Sequence, residues 1–164
     1  MTASFRHEVD LDAPVEHVLA VLRDPASHAA RYAAAGASGA EVVDRDPDAD
    51  GRLTIVSRRA EGGSLPGPIA RLVRGSAQVT QTERWSAPAA DGACSATWTV
   101  VTRGVPVDID GTTDVRPHGP GTRLIQTGVI TARVPLLGTL MEKVAVDQSA
   151  SKLALEWAWL AQHL

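Results

Sequence analysis

The stretch VPLLGTLMEKV, residues 134–144, decides how the chain is read, because it launches the last and longest helical pattern after a run of strands. Pro135 suits a first helical turn, and the apolar spacing beyond it continues to about residue 163, roughly 28 residues or on the order of 42 Å of helix. Projected at 100° per residue, Val146, Ala150, Leu153, Trp157, Leu160 and Leu164 form one stripe. Leu137, Met141 and Val144 fall almost opposite. A helix lying flat on one sheet keeps a single stripe, so its first half is expected to meet a different surface from its second: either one of those surfaces is hollow, or both faces are buried, one by the sheet and one by the Gly/Pro-rich insert.

Upstream, SFRHEVDL (4–11) alternates Phe5, His7, Val9 and Leu11 with polar neighbours, the period of a half-buried strand. DAPVEHVLAVLRDP (12–25) follows with Asp12 as a cap, Pro14 in the first turn, apolar Val15, Val18, Leu19 and Leu22, and Pro25 as a stop. A second, Ala-rich helix, ASHAARYAAAG (26–36), ends at Gly36. AEVVDRDPDADGRLTIVSRRA (40–60) reads as a hairpin around Pro47, Asp50 and Gly51. The Gly/Pro-rich EGGSLPGPIARLVRGS (61–76) is expected to be a loop carrying a short helix at Ile69, Leu72 and Val73. Four more strands follow in AQVTQTERWSA, CSATWTVVTRG, VPVDIDGTTDVRPHG and GTRLIQTGVITARV. Their short connections force antiparallel pairing, giving an α+β chain of about seven strands.

The 164 residues, 44% of them hydrophobic, suffice for one domain spanning 1–164. With 16 Lys plus Arg against 19 Asp plus Glu, no basic surface announces nucleic acid. The N-terminus shows no secretory pattern and no segment reaches the roughly 18 apolar residues of a membrane span, so a cytoplasmic protein without stable membrane insertion is expected. Cys94, the only cysteine, reads as a small strand residue. The five histidines, His7, His17, His28, His118 and His163, show no metal-binding spacing and read as solvated. There is no GxSxG elbow. GPGTRL precedes a strand and reads as a hairpin turn, and DRDPDADG (44–51) as a solvated acidic turn without the ligand pattern of a calcium loop. No metal, cofactor or catalytic constellation is expected. Trp157 and Trp159 cannot share a helix face, which leaves one of them for solvent or a partner.

The order of strand, two short helices, antiparallel strands and long terminal helix resembles the helix-grip fold of the START-like (SRPBCC) superfamily, which includes polyketide cyclases, lipid-transfer domains and pollen-allergen relatives. The residues carrying the likeness are APVEHVLAVLRDPASH (13–28), TERW (82–85), GPGTRL (119–124) and VPLLGTLMEKV. More narrowly, the chain is similar to an uncharacterised bacterial family of that superfamily. The resemblance implies a curved sheet wrapped around the terminal helix, with an apolar ligand between them. Strand parity then turns Leu53, Ile55, Val79, Trp85, Ala96, Trp98, Val107, Ile109, Leu124, Ile130 and Ala132 inward, together with Gln81, Glu83, Gln126 and a gap at Gly128.

The implied ligand-binding set is Ile55, Val79, Glu83, Trp85, Trp98, Val107, Ile109, Leu124, Gln126, Ile130, Leu137, Met141 and Val144. On strand 76–85 the polar face and the apolar face compete for the interior, so Glu83 stays open. Glu142 falls on the line of Val146, Leu153 and Trp157, but its place two turns from Pro135 favours an exposed acid supported by the helix dipole. The implied function is binding or transport of a small hydrophobic molecule by a non-catalytic module. Two alternatives stand beside it: an aromatase/cyclase-like enzyme using Glu83 and Glu142, and an interaction protein with a collapsed cavity that presents Trp159 or the sheet face. A homodimer is compatible with the sequence.

Overall fold

Seven antiparallel strands and three helices make up the computed structural model, which describes residues 2–62, 70 and 77–164. The alternation around SFRHEVDL yields β1 (Thr2–Leu11), which pairs with the last strand from Thr2↔Thr131 to Leu11↔Thr122. Two helices follow, α1 (Val15–Leu22) and α2 (Pro25–Ala34). Asp12 does not cap α1. Pro14, in extended conformation, holds the cap position, and its carbonyl accepts from the amides of His17 and Val18 at 3.0 and 3.1 Å. Pro25 opens α2 rather than only stopping α1, with Asp24 as a true cap accepting from the Ser27 amide at 2.8 Å. Gly36, at φ +91°, makes the left-handed exit that its missing side chain allows.

The remaining strands form a meander: β2 (Ala37–Pro47), β3 (Leu53–Glu61), β4 (Ala77–Trp85), β5 (Cys94–Arg103), β6 (Val107–His118) and β7 (Gly121–Ala132). The sheet order β1-β7-β6-β5-β4-β3-β2 places the first two strands on opposite edges. The α1–α2 pair therefore spans the sheet from edge to edge, and the meander returns to β1. Register shifts near Ser38/Glu41 and Val42/Asp44 add local twist at the β2 edge of this curved sheet. The acidic turn at 48–52 is exposed and is held by the Asp48 carboxylate, which accepts from the amides of Asp50 and Arg52 at 2.9 Å each. The helix expected around Ile69, Leu72 and Val73 falls outside the described residues.

The terminal helix, α3, runs Gly138–Gln162. It starts three residues after Pro135, because Leu136 adopts a left-handed φ of +66° and folds 134–138 into a turn closed by the Gly138 amide on the Val134 carbonyl at 2.9 Å. Its two halves do meet different surfaces. Met141, Val144, Ala145 and Val146 join Val107 and Ile130. Trp157 and Leu160 join the main core of Leu11, Val18, Leu19, Leu22, Leu53, Ile55, Trp85, Val115 and Leu124. Neither tryptophan of α3 is left free: Trp157 meets His7 edge-on at 6.2 Å and Trp159 stacks on His163 at 3.9 Å.

Glu142 is buried, against the expectation of an exposed acid; its carboxylate accepts from the Ala132 amide at 3.1 Å, ending β7. Among the described residues no helix is long and apolar enough to cross a membrane.

Candidate functional site

The backbone of α3 approaches β1, β7 and α2 most closely, and stands off from the middle of the sheet. A chamber of about 200 Å³ fills that gap. Its sheet side is built mainly from alternate residues of β3 to β6, since only every second side chain can point inward: Arg59 and Glu61, Val79 and Gln81, Trp98 and Val100, Val107 and Ile109, with Phe5 of β1 and Gln126 of β7 beside them. Its helix side is Met141, Val144, Ala145, Gln148, Ser149, Lys152, Leu153 and Glu156.

Trp98 is the floor. A side chain at Gly111 or Gly128 would lie 2.2 Å and 3.0 Å from its indole, so these glycines on β6 and β7 let the ring lie across the neighbouring strands. It reaches Phe5 on β1, with ring centroids 6.4 Å apart and nearly parallel. The gap anticipated at Gly128 is thus filled from the side, by Phe5 and Trp98.

Of the thirteen residues picked from the sequence, Val79, Trp98, Val107, Ile109, Gln126, Met141 and Val144 line this chamber. Ile55 belongs to the packed core; Trp85 and Leu124 pack there too but also line, with Glu83, a second space of about 50 Å³, and Ile130 is fully buried beneath Met141. Leu137 packs beside that group without lining the chamber. Parity turns the strand residues inward, but the interior divides into a more tightly packed half, under α1 and the end of α3, with a space of only about 50 Å³, and the more open half of the main chamber.

Glu83 does point inward, and it sits in a polar cluster next to the chamber. Its carboxylate accepts from Gln81 Nε2 at 2.8 Å, Trp85 Nε1 at 2.9 Å and Tyr32 Oη at 3.3 Å. His28 Nε2 lies 3.8 Å away. Contrary to the solvated reading, His28 is buried, and burial pulls its pKa down to about 4 despite the opposing attraction of Glu83. Tyr32 lies under two guanidinium groups, Arg59 at 4.2 Å and Arg31 at 5.3 Å from its ring centre. Burial, reinforced by Glu83, raises its phenol pKa.

Sequence reading missed the charged corner of the chamber wall, Arg59, Glu61, Lys152 and Glu156. Arg59 Nε donates to Glu61 at 2.7 Å, and Lys152 pairs with the other oxygen of the same carboxylate. Burial works to raise the Glu61 pKa, but Arg59 and Lys152 outweigh it and hold it low. Glu156 faces Arg31 Nε at 3.4 Å. Burial dominates there and pushes its carboxyl above the ordinary range. Parity alone would have placed Arg59 on the inward face with Leu53 and Ile55, but a charged residue in that slot reads as an exception to a core strand.

None of the curated protein sequences matches the chain. Solved structures with the same fold include a protein from Thermus thermophilus, at TM-score 0.69 and 18% identity over 98% of this chain and 95% of that one. A STAR-related lipid transfer protein from Xanthomonas axonopodis matches at TM-score 0.65 and 19% identity, covering 96% and 85%. The Zhui aromatase/cyclase from Streptomyces sp. R1128 matches at TM-score 0.58 and 14% identity, covering 99% and 90%. At these identities the likeness establishes the fold alone, a helix grip. Residues 6–164 match the profile described as Protein of unknown function (DUF2505), and the chain belongs to that family.

Proposed function

We propose that this protein binds and carries a small apolar molecule in the chamber between α3 and the sheet. The observation that carries the reading is the chamber's volume. About 200 Å³ lies between α3 and the sheet, apolar along the strands and charged at the corner of Arg59, Glu61, Lys152 and Glu156. Space of that size, with Phe5, Val79, Trp98, Val100, Val107, Ile109 and Met141 turned towards it and a few polar groups converging on it, has the composition of a small-molecule pocket. The fold relatives described as a lipid transfer protein and an aromatase/cyclase support the same reading by analogy.

The test is a titration with the neutral fluorophore N-phenyl-1-naphthylamine. Saturable enhancement is expected for the natural protein, and Met141→Arg, which places a charge in the wall, should weaken it by about tenfold or more. No saturable signal in the natural protein, or unchanged affinity in a correctly folded variant, contradicts the proposal.

One observation favours a second reading, a proton-shuttling enzyme of the aromatase/cyclase kind. A carboxyl lining the chamber, that of Glu156, has its pKa raised by burial, as a general acid requires. It is not one of the two acids picked from the sequence: Glu83 is tied up by three donors and Glu142 by the Ala132 amide.

A further inference from the structure

The polar atoms of the chamber wall that are buried and lack a partner among the described residues are both donors: Arg59 Nη1 and Trp98 Nε1. Both side chains are more than nine-tenths buried, Arg59 being 7% and Trp98 4% exposed. The two carboxylates of the same wall are each in an ion pair, Glu61 with Arg59 and Lys152 and Glu156 with Arg31. A buried donor without an acceptor is costly to keep, so each of these two donors calls for an acceptor oxygen.

Resting on the carrier reading above, we infer that the occupant is an amphiphile with a carboxylate head, held by Arg59 at the β3–α3 corner, its apolar body lying along the Trp98 floor. Charge favours a carboxylate over a neutral carbonyl. Arg59 is a permanent cation in a water-poor site, where a charge-assisted hydrogen bond is about twice as strong as a neutral one. Lys152 adds a second positive group beside it. Glu61 is shared between Arg59 Nε and Lys152, which leaves Arg59 Nη1 without an acceptor among the described residues. Trp98 Nε1 supplies a further donor from the floor, and it draws in molecules with an acceptor oxygen along the body. The remaining wall, Val79, Val100, Val107, Ile109 and Met141, asks only for hydrocarbon.

The test is calorimetric titration of the full chain with three ligands of equal chain length: decanoate, methyl decanoate and decylammonium. Decanoate should bind about tenfold or more tighter than decylammonium, with the ester between them. In Arg59→Gln, decanoate should lose about tenfold while methyl decanoate moves by less than about threefold. Should that variant fail to fold, the order of the three ligands on the natural protein decides. Equal binding of decanoate and decylammonium, or preference for the cation, overturns the carboxylate assignment and leaves the carrier reading standing. Failure of all three to bind removes both.

Discussion

The indole of Trp98 occupies the space that a side chain at Gly111 would need: a Cβ there would lie 2.2 Å from Trp98 Cζ2 and 2.1 Å from the Thr127 carbonyl oxygen. The second contact is with backbone paired in the sheet and cannot yield cheaply. Gly111→Ala is therefore expected to lift the indole from the floor and destabilise the protein by about 3 kcal/mol or more, at the upper end of overpacking costs. Gly104→Ala is the control. It has open space around it but a φ of +76°, so only the left-handed penalty of about 1–2 kcal/mol applies. Urea unfolding of both variants checks the contrast, and equal costs would refute the flat placement of Trp98.

His28 gives the fold a dependence on pH. It faces Glu83, Tyr32, Arg31 and Arg59, and its pKa falls from the ordinary 6.5 to about 4 through burial. A base whose folded pKa is depressed binds more protons when unfolded, so its stabilising effect is complete above about pH 6.5 and is lost as pH falls towards 4. The loss over that window is on the order of 3 kcal/mol. His28→Leu keeps an apolar group of similar size and has nothing to titrate. Urea midpoints at pH 7.5 and 4.5 should differ less in the variant than in the natural protein; equal differences would show that His28 is not the group responsible.

Leu136 is the only non-glycine residue at positive φ among the described residues, and its side chain is fully exposed, at 104%. The left-handed conformation costs about 1–2 kcal/mol, whereas glycine adds about 0.5–1 kcal/mol of unfolded-state entropy. Leu136→Gly is therefore expected to raise stability by roughly 0.5–1 kcal/mol, read as a higher thermal midpoint. A lower midpoint would mean that the leucine makes contacts the structure does not contain.

The fold was legible because its signals are periodic. SFRHEVDL alternates and pairs as β1, the acidic turn and HGPG lie between strands, and the two halves of 134–164 meet two different surfaces, although Val146, placed on the stripe of Trp157 and Leu160, packs with Met141 and Val144 instead. The site was legible only in part. Parity brings Ile55, Trp85 and Leu124 inward as surely as Val79, Trp98 and Val107, but nothing in a strand's own sequence says whether a helix packs against that face or stands off it.

The buried charges escaped for a different reason. Arg31, Arg59, Glu61, Lys152 and Glu156 come from α2, β3 and α3, and each reads alone as a solvated residue until the fold supplies its partners. Asp24 and Pro25 show a local version of the same limit, since one proline can end a helix and begin the next.

Native mass spectrometry of gently purified protein, followed by denaturing extraction, tests the occupied chamber most directly. A small molecule with an apolar body is expected to travel with the folded chain and to be released on unfolding. Protein that is uniformly empty, and that also ignores N-phenyl-1-naphthylamine and decanoate, would contradict the account.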